Sequence, residues 1–326
     1  MIRVEKPSIL PITAEQVEIE TGQRLGVAVI DCRKKTDDSS GNYINKGPTL
    51  VVGLGFNSSV EEFTIQQHAV MAQEMGARFI VVDTPGVGEL SSPLQDGQAR
   101  DLLLGKYDSS ARAMLLAAIK AGVLTEGEEI GLLGYSMGAS TIAAMAKLLN
   151  EDHDTFNKLL LTGAYMIEPV ADHKQPPWTP AMKMGTENKL NDRYLAENMG
   201  LLGLDGQPWP VGTIDRRLKL PGNEAELAKY KEWTKRQARA LLLGGWALGR
   251  DRIPDDLQAA LDGSRDTTRF NEASVISVLA PASGLSDSSR HYEKVTDPTR
   301  RLMSEMGSAA LLTLPDNDGH AFMLSL

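Results

Sequence analysis

An α/β fold built on a mostly parallel sheet with helices on both faces is predicted for this 326-residue chain by three features. Short apolar runs of the kind that form strands buried on both faces recur along it: Leu25–Ile30, Thr49–Val52, Phe79–Val82 and Ile130–Leu133. Segments with apolar residues at helical spacing, such as 60–75 and 109–122, lie between them. Strand and helix alternate at the rhythm of βαβ units, which sets parallel strands side by side with helices across them.

The bulk properties exclude several classes. The length suits one large domain, or a domain with an insertion. With 42% hydrophobic and 24% charged residues the composition is that of a soluble globular protein. A net charge of -9 opposes a nucleic-acid partner. Met1–Pro7 is charged and lacks the apolar core of a signal peptide, and no run of 18 apolar residues occurs, so a cytoplasmic protein with no membrane partner is expected. Cys32 is alone, cannot form an internal disulfide, and reads as a packed thiol. No His–Cys pattern suggests a metal, and none is expected. Gly53 and Gly55 hint at a dinucleotide loop, but Ser58 stands where its third glycine belongs, so no cofactor is expected either.

Taken in order, Gln16–Glu20 and Leu25–Ile30 read as two antiparallel strands joined at Thr21–Gly22. Residues 35–48 are turn-rich and read as a loop. Thr49–Asn57 is a strand running into a glycine loop, and the helix 60–75 follows. Ala77–Val82 is a strand that ends in Asp83-Thr-Pro-Gly-Val-Gly88, where Asp83 reads as a turn-stabilising group. After the helix 109–122 comes Glu129-Ile-Gly-Leu-Leu-Gly-Tyr-Ser-Met-Gly-Ala-Ser140. This is an apolar strand, a sharp G-x-S-x-G turn and a helix rich in small residues. A serine at the tip of such a strained turn needs small neighbours two residues to either side, and Gly134 and Gly138 supply them. The turn is expected to aim the Ser136 hydroxyl into solvent above the sheet, where the helix N-terminus favours developing negative charge.

That stretch resembles the nucleophile elbow of the α/β-hydrolase family, and Asp83-x-Pro85-Gly86-x-Gly88 resembles the turn after the fourth strand in many of its members. The resemblance covers a core of residues 1–164 and 271–326. Phe156–Gly163, 273–280 and 309–314 read as its later strands, and 291–306 as a helix. Residues 165–270 interrupt the rhythm. They hold helical stretches such as 223–248 and all four tryptophans, Trp178, Trp209, Trp233 and Trp246, and resemble the helical cap that many members carry. Large aromatics there would either line an apolar pocket or anchor small helices to the core.

The resemblance implies a triad in the family's chain order: Ser136 as nucleophile, Asp287 as acid, His320 as base. Asp287 ends the Gly-x-x-Asp that follows the strand 273–280, and His320 lies in the loop after the last strand. Glu168 is the alternative acid, because some relatives place the acid after the sixth strand. Of the other histidines, His68 lies inside a helix, His153 and His173 flank the sixth strand and the insertion, and His291 follows Asp287 by only four residues. The backbone N–H groups of Met137 and Phe56, with Asn57 next, would form the oxyanion hole. Phe56, Asn57, Tyr135 and Trp178 would contact substrate. These assignments imply a serine hydrolase cleaving a carboxylic ester of a small or medium apolar substrate through an acyl-enzyme. A serine in the elbow, rather than an aspartate, argues against the dehalogenase and epoxide-hydrolase branches. C–C bond hydrolysis, lyase or acyltransferase chemistry on the same triad, and a non-catalytic ligand-binding member of the fold, are the alternatives. A small-molecule substrate is the expected partner, with assembly into a homo-oligomer left open.

Overall fold

A computed structural model describes residues 12–33, 47–55, 58–156, 159–167, 169, 237–248, 250, 253–263, 274–279 and 309–313. Its elements, in chain order, begin with β1 (Ile12–Glu18), β2 (Arg24–Asp31), β3 (Thr49–Gly53), α1 (Glu62–Met75) and β4 (Arg78–Val82). They continue with α2 (Asp96–Leu103), α3 (Asp108–Gly122), β5 (Glu129–Tyr135), α4 (Met137–Glu151), α5 (His153–Phe156) and β6 (Leu160–Ile167). Helix α6 is described over residues 237–248, and α7 (Ile253–Gly263), β7 (Ser274–Leu279) and β8 (Ala309–Thr313) follow.

The eight strands among the described residues form one sheet in the order β1-β2-β4-β3-β5-β6-β7-β8. β2 runs antiparallel to both of its neighbours, and every other pairing is parallel. Alternation along each central strand divides the core into two faces. Val51, Ile80, Val82, Ile130 and Leu132 pack with Met114 and Leu115 of α3 and Ile142 and Met145 of α4. Leu50, Val52, Phe79, Val81 and Leu133 pack on the other face with Ala69 and Ala72 of α1. Strands covered on both sides must be apolar throughout, which is why β3 and most of β4 and β5 are continuous buried runs.

The strands fall close to the expected positions, and the departures have local causes. β1 starts at Ile12, ahead of the expected Gln16, because at the sheet edge residues 13–16 are exposed and carry no apolar alternation. Helix α2 escapes the sequence reading because it is only eight residues long and contains Gly97. β6 begins at Leu160, not Phe156. Phe156 instead ends the short helix α5, buried in the α3–α4 face of the core with Arg112 stacked over its ring at 5.3 Å. β6 then continues to Ile167, pairing Tyr165 with Leu133 and Ile276. The loop expected at 35–48 lies outside the described residues except for 47 and 48, as do the helix expected at 291–306 and the part of 223–248 before residue 237.

Part of the segment between β6 and β7 packs on the sheet's own helices. Ala240, Ala247 and Leu248 of α6 and Ile253, Leu257 and Ala260 of α7 belong to the same buried cluster as α3 and α4. The Asn150 side-chain amide donates to the Ala260 carbonyl. Lys147 of α4 reaches Asp256 of α7 at 2.9 Å and also pairs with Asp108 at the start of α3. The side chains of Lys147 and Asp256 are 14% and 9% exposed, so the pair is largely withdrawn from water. Lys147→Ala would remove the cation shared by Asp108 and the largely buried Asp256, and should lower the free energy of urea unfolding by about 3 kcal/mol. A loss under about 1 kcal/mol would place the pair in the class of solvent-exposed bridges.

Candidate active site

β5 delivers its last residue, Tyr135, opposite Ile167 of β6, and the Ser136 N–H donates to the Ile167 carbonyl at 2.8 Å. Helix α4 starts at the next residue, so the chain turns from strand to helix at Ser136 alone. The turn is made at φ 54°, ψ -118°. Among the described residues only Ser136 and Val123 have positive φ without being glycine. Such a backbone costs on the order of 1–3 kcal/mol and persists only where its surroundings impose it.

Three glycines impose it. A methyl on Gly138 would overlap the Gly53 carbonyl at the end of β3. One on Gly134 would overlap the Gly138 carbonyl and stand 2.7 Å from the Ala139 nitrogen. One on Gly53 would come within 3.1 Å of the Gly138 oxygen and 3.2 Å of Ile142 Cγ2. The first turn of α4 is therefore wedged between the C-terminal ends of β3 and β5. Met137 opens the helix, and because first-turn amides have no intrahelical acceptor, its N–H is not used within α4. One expectation needs correction: Ser136 is 1% exposed, so its hydroxyl lies in a covered position and not in open solvent.

The glycine loop after β3 is explained by the same packing. Gly53 faces Gly138, and a methyl on Gly55 would stand 2.8 Å from Tyr135 Cδ1. Tyr135 thus lies with its ring over this loop, partly buried against the α1-side cluster. Phe56 and Asn57 fall outside the described residues. Beyond them, the Ser58 N–H donates to the Gly55 carbonyl at 3.2 Å.

Asp83, expected to stabilise its turn, does more than that. Its side chain is fully buried. It accepts the Val60 N–H at 2.5 Å and the Ser91 hydroxyl at 2.8 Å, while its own N–H donates to the Gly26 carbonyl. Methyls on Gly26 or Gly88 would collide with its carboxyl oxygen. One residue therefore ties three segments: its carboxyl joins the loop after β3 to the loop after β4, and its backbone N–H holds β2. Burial pushes its pKa up to about 7, against the bonds from Val60 and Ser91, with Glu61 adding repulsion.

The other sequence-predicted residues divide cleanly. His68 on α1 is held by its own turn, Nδ1–H to the Thr64 carbonyl at 2.7 Å, edge-on to Phe79, and burial lowers its pKa; it is a packing residue. Cys32 is partly buried against the α1-side cluster, and burial together with Asp31 raises its thiol pKa, as fits a packed thiol. Trp246 donates its indole N–H to the Leu103 carbonyl at 3.0 Å, with Arg250 over its ring, so it anchors α6 to the end of α2. His153 opens α5. Asp287, His320, Glu168, His173, His291, Trp178, Trp209 and Trp233 lie outside the described residues. Sequence reasoning missed the seat of α6 beside Met137. The adjacent Gly244 and Gly245 inside a helical pattern were its available signal.

Asp83 gives a prediction with a definite sign. Its folded pKa of about 7 exceeds its ordinary 3.8, so the folded state holds the proton more tightly than the unfolded chain. The stabilisation is complete below the ordinary value and is lost as pH rises through about 7. Asp83→Asn removes this dependence. The melting temperature of the variant relative to the parent should rise between about pH 5 and about pH 8. A relative melting temperature that falls over that interval would show the carboxylate to be favoured in the fold.

Residues 50–325 match the model of the Alpha/beta hydrolase family. No curated protein sequence matches the chain. Among solved structures, a bromoperoxidase from Bacillus anthracis is similar at a TM-score of 0.52 and 12% identity, over 96% of this chain and 95% of that one. A laboratory-evolved variant of potato epoxide hydrolase is similar at 0.50 and 13%, again over 96% and 95%. At such identities these likenesses concern the fold. Among the described residues no helix is long and apolar enough to cross a membrane. The family match over most of the chain, joined to an eight-stranded sheet whose one reversed strand is β2 and whose fifth strand ends in a strained serine turn, makes the chain a member of the α/β-hydrolase family.

Proposed function

We propose that the chain is a serine hydrolase that cleaves carboxylic esters of small or medium apolar substrates through an acyl-enzyme on Ser136. The observation that carries this reading is the backbone of Ser136, φ 54° and ψ -118°, at the junction of β5 and α4. Strain of this kind at a single buried serine, with a helix N-terminus directly behind it, supports a role as nucleophile. A packing role for the residue would leave the strain without a purpose.

In the proposed reaction Ser136 Oγ attacks the ester carbonyl carbon. His320 takes the hydroxyl proton and returns it to the departing alcohol oxygen. Asp287, with Glu168 as the alternative, holds the imidazole in the correct tautomer and stabilises the imidazolium. The N–H groups of Met137 and Phe56 stabilise the negative oxygen of the tetrahedral intermediate. Water, deprotonated by His320, then attacks the acyl carbon; the bond to Ser136 Oγ breaks, His320 returns the proton to that oxygen, and the acid leaves. Tyr135, Phe56, Asn57 and Trp178 line the substrate side. No metal or cofactor enters the scheme, and the partner is a small molecule.

Hydrolysis of p-nitrophenyl esters of graded chain length tests the proposal. Ser136→Ala should lower kcat by about four to six orders of magnitude. Turnover that survives this substitution would remove Ser136 from the mechanism. Activity should also fall as pH drops through the histidine range, near about 6.5. His320→Ala should remove that limb along with most activity, while His291→Ala should keep both. The reverse pattern would transfer the role of base to His291.

A further inference from the structure

Helix α6 carries two adjacent glycines, Gly244 and Gly245, in its interior. Glycine is among the poorest helix formers, so the pair opposes the local structure it sits in. At Gly244 the fold supplies a reason. A methyl there would stand 2.9 Å from Met137 Sδ, closer than packed atoms approach. Met137 is 1% exposed and is the residue directly after Ser136. The backbone of α6 therefore rests on the side chain of the residue that opens α4.

Contacts that do not involve Met137 hold α6 in that seat. The phenol of Tyr107, itself 2% exposed, donates to the Gly244 carbonyl at 3.1 Å. The Trp246 indole donates to Leu103, and Arg239 pairs with Asp96 at 2.9 Å. Ala240, one turn earlier, faces Gly86 so closely that a methyl on Gly86 would stand 2.9 Å from its Cβ. On the opposite side α4 has no room to retreat, because Gly138 already touches the Gly53 carbonyl.

We propose that Gly244 is a positioning residue for the Ser136 site: by lacking a side chain it lets α6 bear on Met137 and fixes the Met137 peptide, whose N–H faces the charge formed on the substrate. This rests on the functional reading above. A side chain at 244 pushes the Met137 thioether, and because Met137 is 1% exposed and packed in the α3–α4 cluster, the displacement its rotamers do not absorb reaches its own peptide. The oxyanion exists only on the way to and from the tetrahedral intermediate. Misplacing its donor therefore lowers kcat and leaves KM nearly unchanged.

The test uses Gly244→Ala, Gly244→Val, Met137→Ala and the double variant Gly244→Val with Met137→Ala, assayed on a p-nitrophenyl ester. Gly244→Val should lower kcat about 10- to 100-fold, with KM within about threefold of the parent. Gly244→Ala gains helix propensity, folds, and loses less in the same direction. Met137→Ala vacates the space, so adding Gly244→Val in that background should cost little further. An unchanged kcat in both Gly244 variants overturns the proposal, and so does an equal loss in the parent and Met137→Ala backgrounds. If the parent hydrolyses no ester, the functional reading fails, and the melting temperatures of the same proteins decide on the contact alone. Non-additive losses uphold it, and additive losses overturn it.

Discussion

Three backbones meet at Gly53, Gly134 and Gly138. Two strand ends and the first turn of a helix approach until no Cβ fits between them. Everything around the site follows from that approach. It decides which residues are glycine, and it leaves a single residue, Ser136, to turn the chain from β5 into α4. It also places the N-terminus of α4 beside that residue, where peptide dipoles favour negative charge. The strain at Ser136 is offset by the two-faced core of the sheet, which over-determines where β3, β5 and α4 lie.

A second layer keeps the surrounding loops from relaxing. Asp83 joins the loop after β3 to the loop after β4 through bonds to Val60 and Ser91, and Gly26 and Gly88 leave space for its carboxyl. A buried carboxyl is a costly way to hold loops, and its raised pKa is the mark of that cost. On the other side, Tyr107 and Trp246 hold α6 by directed hydrogen bonds from buried or half-buried rings. Both supports act on loops and helix ends at the carboxyl edge of the sheet, where ligands of open α/β sheets bind.

Much of the fold is legible in the sequence because its signal is simple. A strand covered on both faces reads as an unbroken apolar run, so β3, β4 and β5 are found within one or two residues. Where one face meets solvent or the element is short, the signal fades, as at β1 and α2. Phe156 misleads because its apolar character reflects burial beneath α3 and α4, not membership of β6. Within the candidate site, Ser136 and Met137 are readable from G-x-S-x-G, since that spacing is a direct record of the glycine junction. The burial of Asp83 was not readable, because a turn aspartate and a buried cross-loop acceptor have the same local sequence. Nor was the anchoring of Trp246, which depends on a carbonyl more than a hundred residues away in the chain.

The account turns on Ser136 being a nucleophile and not merely a strained turn. The most direct measurement is reaction of the folded protein with a fluorophosphonate, followed by peptide mapping by mass spectrometry. The account predicts one adduct, on the peptide containing Ser136, formed by the native protein and not after unfolding in urea. An adduct on another residue, or no adduct on the native protein, would contradict it.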